Sequence, residues 1–327
     1  MSLRYDLRRS PEGAPYSELY SAALEQIRWG DSLGFESVTL SEHHFAEDGF
    51  LPSPLVLAGA IAGATSRIGI SISALLASLH HPLRLAEDLA VLDQLAPGRI
   101  SAVLGTGYRP IEFEALGIDR AERGARLERA VVVMRQAWTG EPFDFEGVRV
   151  QVLPTPVTRG GPMLFVGGST RIAARRAAKL GANLLPSIDD PQLAADYKAA
   201  CEEFGTKPGV VVLPNPAPVF VHVTEDPERD WQIIAPHALH DAATYAAWQT
   251  PGQRSLVHSS ATTVEELRTE GKYRVATPDE TIALAQSLGA HATLVLHPLM
   301  SGLSPRMAWE SLELFAERVW PAIRRGS

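Results

Sequence analysis

The feature that most constrains the fold of this chain is a regular alternation between short β-prone runs and longer helical patterns. The β-prone runs are rich in aliphatic and β-branched residues, and each has the length of a buried strand. Strands that alternate with helices pair in parallel through right-handed crossover connections. The sequence therefore predicts an α/β protein with parallel strands at residues 3–7, 37–40, 68–75, 100–104, 163–166, 182–186, 219–223 and 292–296.

Glycine and proline mark the ends of the helical patterns between these strands. The pattern over residues 17–33 stops at Gly34, and the pattern over residues 82–95 stops before Pro97 and Gly98. Strand–helix units in this number close into one (β/α)8 barrel of the TIM type, so we expect a single domain over residues 1–327. An open, doubly wound sheet is the alternative arrangement of the same elements.

Two stretches interrupt the alternation and are predicted to be insertions. Residues 140–161 include the sequence Phe-Asp-Phe-Glu-Gly-Val-Arg-Val, which favours a β-hairpin. Residues 248–275 include Thr-Pro-Gly-Gln and Ser-Ser-Ala-Thr-Thr, which favour a mobile loop. A mobile loop over the mouth of a barrel would influence substrate choice, whereas the alternative is an unrelated surface loop.

Composition and charge exclude several classes of protein. The chain has 45% hydrophobic residues and a formal net charge of -8, which is typical of a globular protein and disfavours nucleic-acid binding. Its longest apolar runs reach only about ten residues, roughly half of what a membrane span needs, and the N-terminus lacks the apolar core of a signal peptide. We therefore expect a cytoplasmic protein. Cys201 is the only cysteine, which excludes an intrachain disulfide.

Polar and small residues follow several of the predicted strands directly. In a TIM-type barrel the carboxyl ends of the strands form the rim that carries the active site. The sequence therefore predicts that this rim is lined by Glu42, His43 and His44 after the second strand, Ser71 and Ser73 in the third, Gly105, Thr106, Gly107 and Tyr108 after the fourth, and Gly167, Gly168, Ser169 and Thr170 after the fifth.

The two glycine-containing segments on this rim have more than one interpretation. Gly167 and Gly168 precede a helical run at residues 172–180, where backbone N–H groups at a helix N-terminus can bind an anion. Ser169 or Thr170 could equally serve only as the N-cap of that helix. The segment 105–107 lacks the third glycine of a dinucleotide fingerprint and could be a simple turn.

Three sequence motifs, in this order along the chain, resemble the bacterial-luciferase-like flavin-dependent oxidoreductases. The motifs are LSEHHFAEDG at residues 40–49, HPLRLAEDLAVLDQLAPGR at residues 81–99 and FVGGS at residues 165–169. The resemblance covers nearly the whole chain and includes the closing helix WESLELFAERVWP at residues 309–321. The segment Glu42-His43-His44 alone would be weak evidence, and the long motif that follows it at residues 81–99 makes the resemblance specific.

The resemblance implies a cofactor and places it on the barrel. Members of this family bind reduced FMN or the deazaflavin F420 over the barrel mouth, with the phosphate near the fourth and fifth strands. By motif position, Gly168 and Ser169 match the phosphate loop, together with the neighbouring Gly167 and Thr170. Thr106, followed by Gly107 and Tyr108, stands where bacterial luciferase has a phosphate-binding arginine, which leaves Arg126 as the remaining cation. A non-proline cis peptide of the family falls near Ser73 and Ala74.

The same resemblance assigns His43 as the active-site histidine. A histidine that titrates near neutral pH can take or give the proton that accompanies oxygen insertion or hydride transfer. Glu42 is expected to orient this imidazole, to hold His44 or to cap a helix. Strand alternation sends His43 and His44 to opposite sides, so only one of them should face the cofactor.

Four functions remain open from the sequence. The first is a two-component monooxygenase that uses O2, a small organic substrate and reduced FMN from a separate reductase. The second is an F420-dependent hydride-transfer enzyme, and the third is a flavin-binding protein without catalysis. The fourth is a metal-dependent hydrolase built on Glu42, His43, His44 and His297, although we predict that the cluster binds no metal.

The assembly expected from the resemblance is a homodimer that pairs through the second and third helices. The apolar run at residues 55–64 contains small residues that allow helices to approach closely. This run fits such an interface.

Overall fold

The computed structural model describes residues 1–214, 217–250, 254–289 and 293–324, and its strands lie where the alternation predicts them. Each predicted strand overlaps an observed one, although residue 292 of the last prediction lies outside the described residues. The strands are β1 Ser2–Tyr5, β2 Ser37–Leu40, β3 Gly69–Leu75, β4 Ile100–Leu104, β5 Phe143–Phe145, β6 Val148–Val150, β7 Met163–Gly168, β8 Asn183–Pro186, β9 Phe220–Val223, β10 Tyr273–Ala276 and β11 Val295–Leu296.

The main sheet is parallel and follows the order of the chain. Seven strands are hydrogen-bonded in the order β11, β1, β2, β3, β4, β7 and β8. The last strand pairs with the first, at Ser2 opposite Val295, and no switch in direction interrupts this described order. A doubly wound sheet would reverse its order at an internal strand, so this order is that of a TIM-type barrel.

The one predicted barrel strand outside this seven-stranded sheet is β9, which packs beside β11 and pairs in parallel with β10. Val211, which precedes β9 in the chain, forms an isolated parallel bridge to Leu184 of β8. These contacts place the segment between the two ends of the seven-stranded sheet.

Helices surround the sheet. Those that connect its strands include α1, which ends at Gly34 in the left-handed conformation, and α3, which begins at Pro82 as predicted. The helices are α1 Tyr16–Leu33, α2 Pro54–Ala64, α3 Pro82–Leu95, α4 Pro110–Ala115, α5 Arg123–Ala137, α6 Arg171–Lys179, α7 Pro191–Phe204, α8 Pro227–Trp248, α9 Val264–Glu270, α10 Pro278–Ser287, α11 Pro305–Leu314 and α12 Trp320–Arg324.

The two predicted insertions have different outcomes. Strands β5 and β6 form an antiparallel hairpin between α5 and β7, which confirms the hairpin in residues 140–161. The loop predicted over residues 248–275 is wrong in its second half, because that half contains α9 and the start of β10. Residues 251–253 of this stretch lie outside the described residues.

Alternating strand residues build the core between the sheet and the helices. Leu3 and Tyr5 of β1, Val38 and Leu40 of β2 and Ile72 of β3 are all completely buried. The face that these strands share is therefore fixed, and a register slip of one residue would expose it. Among the described residues, no helix combines the length and the apolar character that crossing a bilayer requires.

Candidate active site

His43 lies just beyond the C-terminal end of β2, between two side chains that contact its two ring nitrogens. Nδ1 lies 2.9 Å from Oε1 of Glu112, and Nε2 lies 3.2 Å from the hydroxyl of Tyr108. Because an ionised carboxylate only accepts hydrogen bonds, Nδ1 donates to Glu112, and the lone pair of Nε2 accepts from the hydroxyl of Tyr108. Burial lowers the pKa of His43, and Arg109 and Arg8 add to this, although Glu112 acts in the opposite direction. The imidazole is therefore neutral at neutral pH.

Glu112 is completely buried in the first turn of α4 and fixes the position of His43. Its Oε1 also accepts the backbone N–H of His44 at 3.0 Å and lies 3.4 Å from a guanidinium nitrogen of Arg109. Its Oε2 has no hydrogen-bond partner among the described residues. The carboxylate thus holds the loop after β2 and the imidazole with one oxygen.

Of the roles considered for Glu42, the structure shows the contact with His44, whereas the imidazole of His43 is held by Glu112. Its Oε1 lies 2.9 Å from Nε2 of His44 and 2.7 Å from Nε2 of His80, and its Oε2 accepts the backbone N–H of Leu76. Burial alone would raise the pKa of Glu42, but these hydrogen bonds and the charge of His80 lower it to about 2. The side chains of the two adjacent histidines therefore have separate carboxylate partners, and that only His43 faces the cofactor stays a prediction.

The side chains of Glu42, His44 and His80 also form a group that could hold a metal ion, since their ligand atoms lie within 4.8 Å of one another. This group differs from the set considered in the sequence, because His43 pairs with Glu112 and His297 lies 3.4 Å from Asp6. The short contacts join each imidazole to one carboxylate oxygen, which is the geometry of hydrogen bonds. That the cluster binds no metal stays a prediction.

Aromatic rings surround the imidazole of His43. The ring centroids of Phe50, Trp248 and Tyr108 lie 4.9, 5.0 and 5.3 Å from that of His43. The guanidinium of Arg109 lies 4.0 Å from the ring of Trp248, a cation–π contact. This shell leaves the residue only 7% exposed, and the low local dielectric strengthens its polar contacts.

The predicted phosphate loop lies at the junction of β7 and α6. Thr170 is the N-cap of α6, because its side chain accepts the backbone N–H of Ala173. Gly168 has a φ of 132°, and a Cβ there would lie 2.8 Å from the Cβ of Ala173. Glycine is therefore required here, because the loop packs closely against the first turn of α6 with a backbone conformation that side chains disfavour. Backbone N–H groups at the start of α6 have no partner within the helix, and such a donor set fits a phosphate.

The predicted residues of the third and fourth strands lie on the neighbouring part of the rim. The peptide bond between Ser73 and Ala74 is cis, as predicted. A Cβ on Gly105 would lie 3.1 Å from that of Ala74, so these two strand ends approach closely. The carbonyl of Thr106 accepts the hydroxyl of Ser78 at 2.8 Å, and Gly107 has a positive φ of 68°.

Two arginines are candidates for a phosphate contact. The predicted Arg126 donates its Nε to the carbonyl of Ser78 at 2.6 Å, which places it beside Thr106 on the rim. The second, Arg254, was not identified from the sequence. Its backbone N–H lies 3.4 Å from the hydroxyl of Ser169, and its guanidinium lies 3.5 Å from the carbonyl oxygen of Ser169. Arg254 therefore brings a cation to the loop after β7.

The fold is shared with several solved monooxygenase and dehydrogenase structures. A monooxygenase from Streptomyces bottropensis superposes with a TM-score of 0.77 at 24% identity over 98% of both chains. The oxygenating constituent of 3,6-diketocamphane monooxygenase from Pseudomonas putida, solved in complex with FMN, gives 0.73 at 20% identity over 98% of this chain and 97% of that one. An F420-dependent secondary alcohol dehydrogenase gives 0.69 at 19% identity over 99% and 98%.

Sequence comparison identifies the family. The alkanal monooxygenase alpha chain of Photorhabdus luminescens is 30% identical over 211 residues, which span 61% of this chain and 58% of that protein. The chain thus aligns with little more than half the length of this curated relative. The sequence pattern of luciferase-like monooxygenases matches residues 5–294, which is most of the chain. Together with the barrel order of the strands, this match shows that the chain belongs to the luciferase-like monooxygenase family.

Proposed function

We propose that this protein is a two-component monooxygenase, which takes reduced FMN from a separate reductase and uses O2 to oxidise an organic substrate. The observation that carries this proposal is the buried pair of His43 and Glu112 at the C-terminal rim of the parallel strands. Membership of the luciferase-like family and the 30% identity to an alkanal monooxygenase support it.

Separate groups of rim residues would contact the phosphate and the ring of the cofactor. Bound reduced flavin would supply the electrons for the reaction with oxygen. The segment from Gly167 to Thr170 would hold the phosphate through backbone N–H groups, and Arg126 would add a charge-assisted contact. The ends of β3 and β4, from Ser73 to Ala74 and from Thr106 to Tyr108, would lie beside the ring.

His43 would move the proton that accompanies oxidation. Its neutral imidazole can accept a proton at Nε2, while the carboxylate of Glu112 stabilises the imidazolium that results. Tyr108 donates to the same nitrogen in the resting site and would give way to the substrate there. The aromatic shell would keep water from this exchange.

The alternative function is an F420-dependent hydride transfer, supported by the shared fold of the secondary alcohol dehydrogenase. In that reaction His43 would take the hydroxyl proton of an alcohol at the same nitrogen atom. A flavin-binding protein without catalysis is the third outcome that an experiment must distinguish.

The experiment is cofactor identification followed by single-turnover kinetics. Gently purified protein is analysed by mass spectrometry for bound cofactor and metal, then titrated anaerobically with reduced FMN and with F420. We expect stoichiometric binding of reduced FMN and rapid reoxidation by O2. His43→Ala should slow the substrate-dependent step about 10²- to 10⁴-fold and leave cofactor affinity largely unchanged.

His44→Ala is the matched control, because His44 contacts Glu42 rather than Glu112 through its side chain. We expect it to lower stability more than turnover. Binding of F420 alone would favour the alternative function. Stoichiometric zinc or iron, or unchanged chemistry in His43→Ala, would contradict the proposed role of His43.

We also propose that residues 1–327 act as one domain in a cytoplasmic homodimer. The support for pairing through α2 and α3 is the exposure of three aliphatic side chains on these helices, Val56, Val91 and Leu95.

A further inference from the structure

An open cavity of about 850 Å³ adjoins the His43 site at Trp248. Trp248 lines the cavity, and its ring centroid lies 5.0 Å from that of His43. Arg109 also lines the cavity and contacts Glu112. Pockets of about 300–1,000 Å³ hold drug-sized organic molecules, so this cavity has the size of a ligand site next to the acid–base pair.

One wall of the cavity is a face of α8 whose spacing comes from the helical repeat. His240, Ala243, Thr244, Ala247 and Trp248 line the cavity and recur at intervals of three and four residues. The two alanines present only methyl groups, which leaves the space between the longer side chains open. The cavity is thus bounded by large residues at both ends of this face.

His240 is held in place by a charge network beneath the cavity. Its Nε2 lies 3.1 Å from Oδ2 of Asp48, and Nε of Arg8 lies 2.6 Å from the same oxygen. Arg8 is completely buried and also pairs with Asp241 at 3.3 Å. Because Nε2 faces the carboxylate, Nδ1 of His240 is free of partners among the described residues and available to a ligand.

Charged groups and apolar side chains both line the rest of the cavity. Arg9 and Arg109 are the cations among its lining residues, and Glu47 and Asp48 are the anions. Asp48 is already paired with Arg8 and His240. The apolar side chains of Phe45 and Ile111, which also line the cavity, are 52% and 45% exposed. A ligand with an apolar ring body and an electron-rich oxygen group would match both kinds of side chain.

We propose that this cavity holds the organic substrate, and that the substrate is a multi-ring molecule with an anionic or carbonyl oxygen group. This inference rests on the proposed function, because it makes the cavity the substrate site of the His43 reaction. The oxygen group would accept hydrogen bonds from His240 and Arg9, and the rings would pack on Phe45 and Trp248. Trp248 is then a specificity-determining residue, because its ring limits how far the substrate extends toward His43.

The test uses 8-anilinonaphthalene-1-sulfonate as the probe, since it combines aromatic rings with one anionic group. Its binding to the full-length protein, with and without FMN, is followed by fluorescence. We expect one probe molecule per chain and a loss of affinity of at least about tenfold in Ala243→Trp, which fills the cavity. Ala246→Trp is the matched control, because Ala246 is an exposed alanine of α8 that does not line the cavity.

Two further variants test the proposed roles of His240 in binding the oxygen group and of Trp248 in limiting the size of the substrate. His240→Gln keeps a hydrogen-bonding side chain for Asp48 and should weaken the probe about fivefold. Trp248→Ala should admit larger multi-ring sulfonates than the wild type does. FMN affinity, measured in parallel, should be unchanged in Ala243→Trp, Ala246→Trp and His240→Gln.

The outcomes separate this proposal from the proposed function. Failure to bind reduced FMN or F420 would contradict the proposed function, whatever the probe does. Normal cofactor binding with no stoichiometric probe binding would overturn the cavity as a substrate site. Equal probe affinity in Ala243→Trp, Ala246→Trp and the wild type would overturn it as well.

Discussion

Replacing Glu112 by glutamine should lower the pKa of His43 further and weaken its action in proton transfer. Glutamine preserves the shape of the side chain and an oxygen acceptor for Nδ1, but it removes the negative charge 2.9 Å from the ring. Hydrogen bonds to charged groups contribute about 1.5–3 kcal/mol, against about 1 kcal/mol for neutral ones. The protonated imidazole should therefore lose about 1–2 kcal/mol, which slows a step that protonates His43 about 5- to 30-fold.

The direction of the pH effect follows from the same contacts. Burial holds the pKa of His43 below its ordinary value, and Glu112 raises it in part. Without the carboxylate, the neutral imidazole persists to lower pH, so the acid limb of the kcat/KM profile should move to lower pH. An NMR titration of the imidazole gives the same quantity without turnover. Glu114→Gln, an exposed position on α4, is the control, and an acid limb that stays in place or moves upward in Glu112→Gln would refute the argument.

Two further predictions concern the cofactor loop and the assembly. Gly168→Val should weaken FMN binding by about 1–3 kcal/mol in a fluorescence titration, because a Cβ there meets Ala173 at 2.8 Å. Gly147→Val, a positive-φ glycine with open space around it, should lower stability alone, and equal FMN affinity in both variants would place the phosphate elsewhere. Light scattering should give a mass near twice 35.4 kDa for the wild type and a monomer for Leu95→Glu, whereas a monomeric wild type would exclude the dimer. Ile233→Glu, an exposed position on α8, should remain a dimer.

The strands of the barrel were predictable because buried strands consist mostly of apolar residues, and such runs can be recognised in the sequence. Runs such as residues 100–104 are predominantly apolar, with Ser101 the exception, as expected for parallel strands covered by helices. The strand β10 was missed because its sequence, Tyr-Arg-Val-Ala, is short and contains a charge. The short helix α9 before it carries a capping box at Thr263 and Glu266, a local signal that could have revealed it.

Only some residues of the candidate site could be predicted from the sequence, because the site is assembled from segments that are distant along the chain. His43 was recognised from a motif, but its partner Glu112 lies 69 residues later. Only the fold brings the first turn of α4 against the end of β2. Arg254 and Trp248 were missed for the same reason, since the loop prediction for residues 248–275 gave no contact partners.

The division of labour between the two neighbouring histidines follows from their separate carboxylates. Glu42 is shared by His44 and His80, and with a pKa of about 2 it stays ionised over the whole physiological range. Burial opposes protonation of His80, but the hydrogen bond and charge of Glu42 outweigh it and raise the pKa of His80. At His43, by contrast, burial outweighs the effect of Glu112, the pKa of the imidazole is lowered and the ring remains neutral. Glu42 thus keeps a fixed charge among His44 and His80, whereas Glu112 holds a neutral imidazole at His43, which fits the proton transfer proposed for that residue.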